Sequence, residues 1–160
     1  MSFRIGIGYD LHRLAANRRL VLGSVQIPHE RGLSGHSDAD VVLHALCDAM
    51  LGAAALGDIG ELFPDTDPAF KDADSRQFVR EAQRRLASTG LVVANVDLII
   101  HAQEPRLGPW KAAIQQSLAD LLDLPATSVG VKATTNEGLD AVGRADAIAC
   151  WAAVLVTPQA

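Results

Sequence analysis

AIACWAAVLV, Ala147–Val156, carries no charge and no turn residue over ten positions. Set within an apolar segment from Ala145 to Thr157, it reads as a long strand. A strand with one wet face alternates apolar and polar residues. This one is apolar at odd and even positions alike, so both of its faces are covered. Helices can cover one. The other is covered either by more of this chain or by the sheet of a second copy, and the latter points to a homo-oligomer.

Working back from that strand, helical and extended segments alternate. Phe3, Ile5 and Ile7 alternate with other residues and predict a strand ending near Tyr9. Leu20–Ile27 reads as a strand pair or bent strand stopped by Pro28, and Gly32 and Gly35 mark a loop. Ser37, three residues before Asp40, predicts a helix start of the capping-box kind, with the helix running from Asp38 to Ala55. GDIGELFPDTDP, Gly57–Pro68, reads as a structured loop. Asp74 or Ser75 caps a second helix to about Ser88, ended by Gly90. Val92–Ala102 is a strand, Pro109 opens a third helix to about Asp123, and Val129–Thr134 is a short strand. The fold class is an α/β (α+β) sandwich, a mixed four- to five-stranded sheet with helices on one face, in a single domain over 1–160.

The chain has 160 residues, 49% hydrophobic and 21% charged, with net charge −5. That is a globular composition with no basic stripe, so no nucleic-acid partner is expected. Aromatics at 4% leave no stacking platform for single strands. No apolar run is long enough to span a bilayer, and the N-terminus lacks a signal-peptide pattern. Cys47 and Cys150 form no CxxC and read as two reduced thiols in a cytoplasmic protein. An acidic chain can still take a phosphorylated ligand where a metal or a helix end supplies positive charge.

The chemistry-bearing residues begin with Asp10 and His12. Two apart on a strand, they face one way and can reach one point. VVLHALCDAMLGAAAL, Val41–Leu56, is apolar nearly all round except for Asp40, His44 and Asp48, spaced by four on one stripe. Such a stripe faces water, a partner or a metal. With His44 as third ligand, Asp10, His12 and His44 make the Asp/His/His set of a catalytic zinc site, and Asp48 or Asp40 would orient an imidazole. A solvated strand end and a water-facing stripe remain the alternatives. His36, Ser37 and Asp38 enter the same helix, whose N-terminus suits an anion. His29 reads as exposed and His101 as a packing residue. KATTNEG, Lys132–Gly138, offers Lys132, Thr134 and Thr135 to a phosphate and Glu137 to a hard cation such as magnesium, or is a turn with ordinary caps. It lacks the Walker A order.

GYDLHRL (Gly8–Leu14), SGHSDADVVLHAL (Ser34–Leu46), GAAALGDIGELFPDTDP (Gly52–Pro68), DADSR (Asp72–Arg76), NVD (Asn95–Asp97), AQEPR (Ala102–Arg106) and KATTNE (Lys132–Glu137) follow one another in a familiar order and spacing. In them the sequence resembles the 2-C-methyl-D-erythritol 2,4-cyclodiphosphate synthase family of the non-mevalonate isoprenoid pathway. The resemblance implies a ferredoxin-like sheet, a homotrimer with its sheets facing the threefold axis, and active sites between subunits. It implies 4-diphosphocytidyl-2-C-methyl-D-erythritol 2-phosphate as substrate, with CMP expelled on cyclisation. It assigns zinc to Asp10, His12 and His44, transition-state contacts to His36 and Thr135, and a second metal, magnesium or manganese, to Glu137. Asp58, Ile59, Gly60, Phe63, Pro64, Asp65, Thr66 and Asp67 match the loops holding the methylerythritol and its phosphate. Ala102, Gln103, Glu104, Pro105, Arg106, Leu107 and Gly108, with Thr134, Thr135, Asn136 and Glu137, match the cytidine and diphosphate pocket, while Ser37 and Lys132 are expected as substrate contacts from their residue types and positions. Ala141 and Arg144 match the central cavity, where some members hold an isoprenoid diphosphate. Here Asp140-Ala141 replaces the usual Gly-aromatic pair, which weakens the case for that ligand. Ile99, His101, Glu104, Arg106 and Asp146 also depart from the family's usual residues.

Overall fold

The computed structural model of the protein describes residues 3–64 and 66–159. Its centre is a five-stranded sheet in the order β4-β1-β7-β5-β6. The strands are β1 (Arg4–Ala16), β4 (Arg31–Ser34), β5 (Leu91–His101), β6 (Val129–Thr134) and β7 (Ala147–Pro158), and β2 (Leu20–Leu22) with β3 (Val25–Ile27) forms a separate hairpin. All neighbours are antiparallel except β5 and β6. That parallel pair is joined through helix α4 (Lys111–Leu122), the crossover that parallel neighbours require. The element order therefore departs from the ferredoxin-like β-α-β-β-α-β arrangement.

The long helices α1 (Val41–Ala53), α3 (Arg76–Ser88) and α4 pack on one face of the sheet. In β7, Ile148, Cys150, Ala152, Val154 and Val156 point into that core and are buried. Trp151, Ala153 and Leu155 point the other way, while Ala147 and Ala149 are covered by Val142 from the short helix α5 (Asp140–Gly143). In β1 the apolar alternation lies on the side away from the helices. Phe3, Ile5, Ile7, Tyr9 and Leu11 lie exposed on the outer face. The inner face carries Gly6, Gly8, Asp10, His12 and Leu14.

β1 runs on past Tyr9 to Ala16, so Asp10 and His12 sit within the strand rather than at its end. The expected loop at Gly32 is the edge strand β4. Asp40, not Ser37, caps α1: its buried carboxylate accepts from the Val42 and Leu43 amides, and from those of Gly23 and Ser24. A four-residue helix, α2 (Ile59–Leu62), lies inside the segment expected to be loop.

Candidate active site

Two glycines set the site. A Cβ on Gly8 would stand 2.1 Å from the Ala45 carbonyl oxygen, and one on Gly6 would stand 1.9 Å from that of Ala49. Only a strand without side chains at these positions lets the α1 backbone come so close. The contact seats the turn carrying His44 directly over Asp10 and His12.

Asp10 Oδ2 lies 2.9 Å from His12 Nε2 and 3.0 Å from His44 Nδ1, and those two nitrogens are 3.0 Å apart. His12 Nδ1 is 3.0 Å from the Ser34 carbonyl, which only accepts, so Nδ1 carries the ring's proton. A neutral His12 thus turns the lone pair of Nε2 toward a carboxylate oxygen. Two acceptors at that distance repel unless a cation stands with them. Without metal, a proton fills that role. Burial works to raise the Asp10 pKa, but its close polar contacts with the imidazoles of His12 and His44 outweigh that and hold the carboxyl below its usual range. Burial likewise works to lower His12, and its hydrogen bond to Asp10 outweighs that and raises it.

The same three atoms can hold a divalent metal ion. Tetrahedral zinc ligands at about 2.0–2.1 Å stand roughly 3.3 Å from one another. The triangle here is a few tenths of an ångström tighter and opens to that size with small side-chain rotations. Beside it lies a cavity of about 470 Å³, lined also by His36, Ser37, Ile59, Gly60, Phe63 and Pro64, with Phe70 and Phe78 behind. Phe63 packs on Phe78 at 4.4 Å between ring centroids and edge-on to Phe70 at 5.4 Å, giving the cavity an aromatic wall.

The loop residues divide between lining and bracing. His36 Nε2 is 2.9 Å from the Asp67 carbonyl oxygen, which ties the two loops together. Asp58 caps α2, accepting from the Glu61 amide at 2.9 Å, and Asp67 caps the turn that follows it, accepting from Ala69. Thr66 is exposed. Asp65 lies outside the described residues. Neither Asp40 nor Asp48 orients an imidazole, a correction to the stripe reading. Asp40 is spent on its cap, and Asp48 accepts from the Ile59 amide at 2.8 Å. His29 is not free in solvent but part-buried, with Nδ1 2.9 Å from the Arg31 carbonyl.

The expected nucleotide-side residues are elsewhere. Ala102, Gln103, Pro105, Arg106, Leu107 and Gly108 follow β5, Lys132 and Thr134 end β6, and none of them lines the cavity. With β7 and β5 between β1 and β6, three strand spacings separate the two groups, roughly 14 Å. Thr135 Oγ1 donates to Glu137 Oε1 at 2.7 Å, and Lys132 pairs with Asp97 on the outer face. Asn136 Oδ1 accepts from His101 Nδ1 at 2.9 Å, and Asn136 Nδ2 donates to Asp140 Oδ2 at 2.8 Å. Glu104 pairs with Arg31 at 2.7 Å, so its charge is matched by an adjacent guanidinium. Ala141 packs with Val142 against β7, and Arg144 pairs with Asp146.

Sequence reasoning passed over Arg18 and took Ser75 for a helix cap alone. The Arg18 guanidinium donates to the carbonyls of Leu33, Gly35 and Ser37 and pairs with Asp72 at 3.5 Å, cross-bracing the loop that carries His36. Ser75 reads as a helix cap, yet its hydroxyl makes no capping bond.

The YgbB family model matches residues 3–157. The 2-C-methyl-D-erythritol 2,4-cyclodiphosphate synthase of Desulfosudis oleivorans is 56% identical over 156 residues, covering 98% of this chain and 93% of that protein. The chain belongs to the YgbB family. A solved structure in this family, a 2C-methyl-D-erythritol-2,4-cyclodiphosphate synthase in a CDP-bound form, matches with TM-score 0.89 and 41% identity, covering 96% of this chain and 100% of that one. The bifunctional IspDF of Campylobacter jejuni matches with TM-score 0.94 and 43% identity over 98% of this chain, which spans 42% of that longer protein. As a YgbB family member with such relatives along its full length, the chain is an enzyme, a lyase of the cyclodiphosphate-synthase kind.

Proposed function

We propose that the protein converts 4-diphosphocytidyl-2-C-methyl-D-erythritol 2-phosphate to 2-C-methyl-D-erythritol 2,4-cyclodiphosphate and CMP. The observation that carries this reading is the convergence of Asp10, His12 and His44 within 3.0 Å of one another at the wall of a cavity of about 470 Å³. An oxygen of the 2-phosphate attacks the β-phosphorus, and the bond from that phosphorus to the bridging oxygen breaks, so that CMP leaves. The nucleophile is already anionic at neutral pH and needs no base. The obstacle is repulsion between two phosphates, which calls for positioning and charge neutralisation. Zinc held by Asp10, His12 and His44 would act as a Lewis acid on phosphoryl oxygens.

The chain's own residues do the rest. His36 and Ser37, at the cavity wall, hold the methylerythritol phosphate with the Asp58–Gly60 and Phe63–Asp67 loops. The aromatic wall receives the methyl-bearing carbon chain and excludes water. Ala102–Gly108 and Thr134–Glu137 take the cytidine and diphosphate, with Thr135 on the reacting phosphoryl group, Lys132 near the phosphates, and Glu137 offering a carboxylate to magnesium or manganese.

Thr135 and the metal centre must meet the same phosphoryl group, and three strand spacings within one chain hold them too far apart for that, which supports a homotrimer whose sites lie between subunits. The outer sheet face supports it too. Ile5 and Ile7 stand 73% and 68% exposed beside Tyr9 and Trp151, an apolar patch of the kind that marks an interface. No described helix is long and apolar enough to cross a membrane, and we place the reaction in the cytoplasm. The test is to incubate the metal-loaded protein with the diphosphocytidyl substrate and read products by phosphorus NMR. Cyclic diphosphate and CMP in equal amounts are expected. An acyclic phosphate product would overturn the proposal in favour of a hydrolase.

A further inference from the structure

We infer that Asp38 and Ser75 form a positioning pair that fixes the tautomer of His44 and thereby sets the affinity of the metal centre. The inference rests on the metal-centre reading above. Ser75 is fully buried, and its hydroxyl donates to the Asp38 carboxylate. A hydroxyl has one proton, and a carboxylate can only accept. With that proton committed, Ser75 Oγ meets His44 Nε2 at 2.9 Å as an acceptor. His44 Nε2 is therefore the N–H of the ring. Ser37 Oγ, 3.1 Å from the same nitrogen, accepts from the Ala39 amide and keeps a second lone pair with which it can share the Nε2 proton. Nδ1 is left with its lone pair directed at Asp10 Oδ2, 3.0 Å away, where the ion would sit.

The pair is itself held in place. Asp38 Oδ2 accepts from the Ser75 amide at 3.2 Å, the Asp38 amide donates to the Ala73 carbonyl at 2.9 Å, and the Asp72 amide donates to that of His36 at 2.7 Å. The segment entering α3 is thus clamped to the segment entering α1, and the outward nitrogen of His44 points at the junction. Neither Asp38 nor Ser75 lines the cavity, so neither touches substrate. They act through His44. An imidazole whose far N–H is held in a hydrogen bond is both oriented and made a better donor to its metal.

The test uses two readouts on the full chain. Long-range nitrogen–proton NMR of the metal-free protein, at mildly alkaline pH, reports which His44 nitrogen bears the proton. Wild type is expected as the Nε2–H tautomer, and Ser75→Ala as a mixture. Competition with a chromogenic chelator reports zinc affinity, expected to fall about 10- to 100-fold in Ser75→Ala and to recover in Ser75→Thr, which restores the hydroxyl. Asp38→Asn, which leaves Ser75 intact, should weaken zinc in the same direction and serves if Ser75→Ala does not fold. An Nδ1–H tautomer in wild type, or zinc affinity unchanged in the folded variants, would overturn the positioning pair. Failure of wild type itself to bind zinc would instead overturn the metal reading on which the pair depends.

Discussion

Gly8→Ala adds a single methyl group and should damage the metal centre without touching a ligand. The new Cβ would stand 2.1 Å from the Ala45 carbonyl oxygen and 2.8 Å from the Ala49 nitrogen, where ordinary contact begins near 3.4 Å. Both atoms belong to the helix backbone and cannot rotate aside, so α1 must lift, or β1 bow, by about 1 Å. Overpacking of this kind costs about 1–3 kcal/mol. For a chain of this size that lowers the melting temperature by roughly 3–10 °C. His44 precedes Ala45 and moves with it, while metal ligands tolerate misplacement of only about 0.2 Å. Zinc affinity should fall at least about tenfold, as it does when a ligand loses its alignment. The assay is thermal denaturation in chelator at fixed protein concentration, followed by chelator competition for zinc. Gly52→Ala is the control of opposite sign. It sits in the same helix, its Cβ would meet only the Ile7 oxygen at 4.0 Å, and it should stabilise by about 0.5–1 kcal/mol. A Gly8→Ala protein with wild-type melting temperature and zinc affinity would refute the idea that these glycines seat the helix.

Ile7→Asp, on the exposed face of β1, should yield a smaller species in sedimentation while still binding zinc, and should lose cyclisation. A monomer with full activity would rule out the shared site. Arg18→Ala frees the loop of His36 from three carbonyl hydrogen bonds. It should lower kcat/KM about 10- to 100-fold, the scale of a small misplacement, with zinc affinity unchanged. Arg31→Ala, which leaves the Glu104 carboxylate without its 2.7 Å partner, should weaken CDP binding measured by calorimetry, whereas Glu104→Gln should change it little. Equal losses in both variants would contradict the compensation.

The converging triad was legible because each member lies in a short periodic pattern: Asp10 and His12 two apart on a strand, His44 on a helix otherwise apolar. The long strands and helices were legible for the same reason. The same periodicity misassigned Asp40, since a helix stripe and a helix cap share the spacing of four and only the fold brings Gly23 and Ser24 onto its carboxylate. β1 was shortened for a physical cause. Its inner positions from Gly6 to His12 are glycines and polar residues, so the apolar alternation that marks the strand belongs to the outward face and gives way to Arg13 after Leu11. Ser75 and Asp38 lie 37 residues apart, and no local pattern in the chain marks their hydrogen bond. The distance between Thr135 and His44 was equally invisible, because it follows from strand order, with β7 and β5 inserted between β1 and β6.

The central claim is that one ion joins Asp10, His12 and His44. Anomalous diffraction at the zinc edge from crystals grown with zinc tests it directly. The account predicts one strong peak per chain, about 2.0–2.1 Å from His12 Nε2 and His44 Nδ1 and about 2.0–2.2 Å from an Asp10 carboxylate oxygen, with its remaining position open to the cavity. Bound zinc that leaves either imidazole without contact to the peak would contradict it.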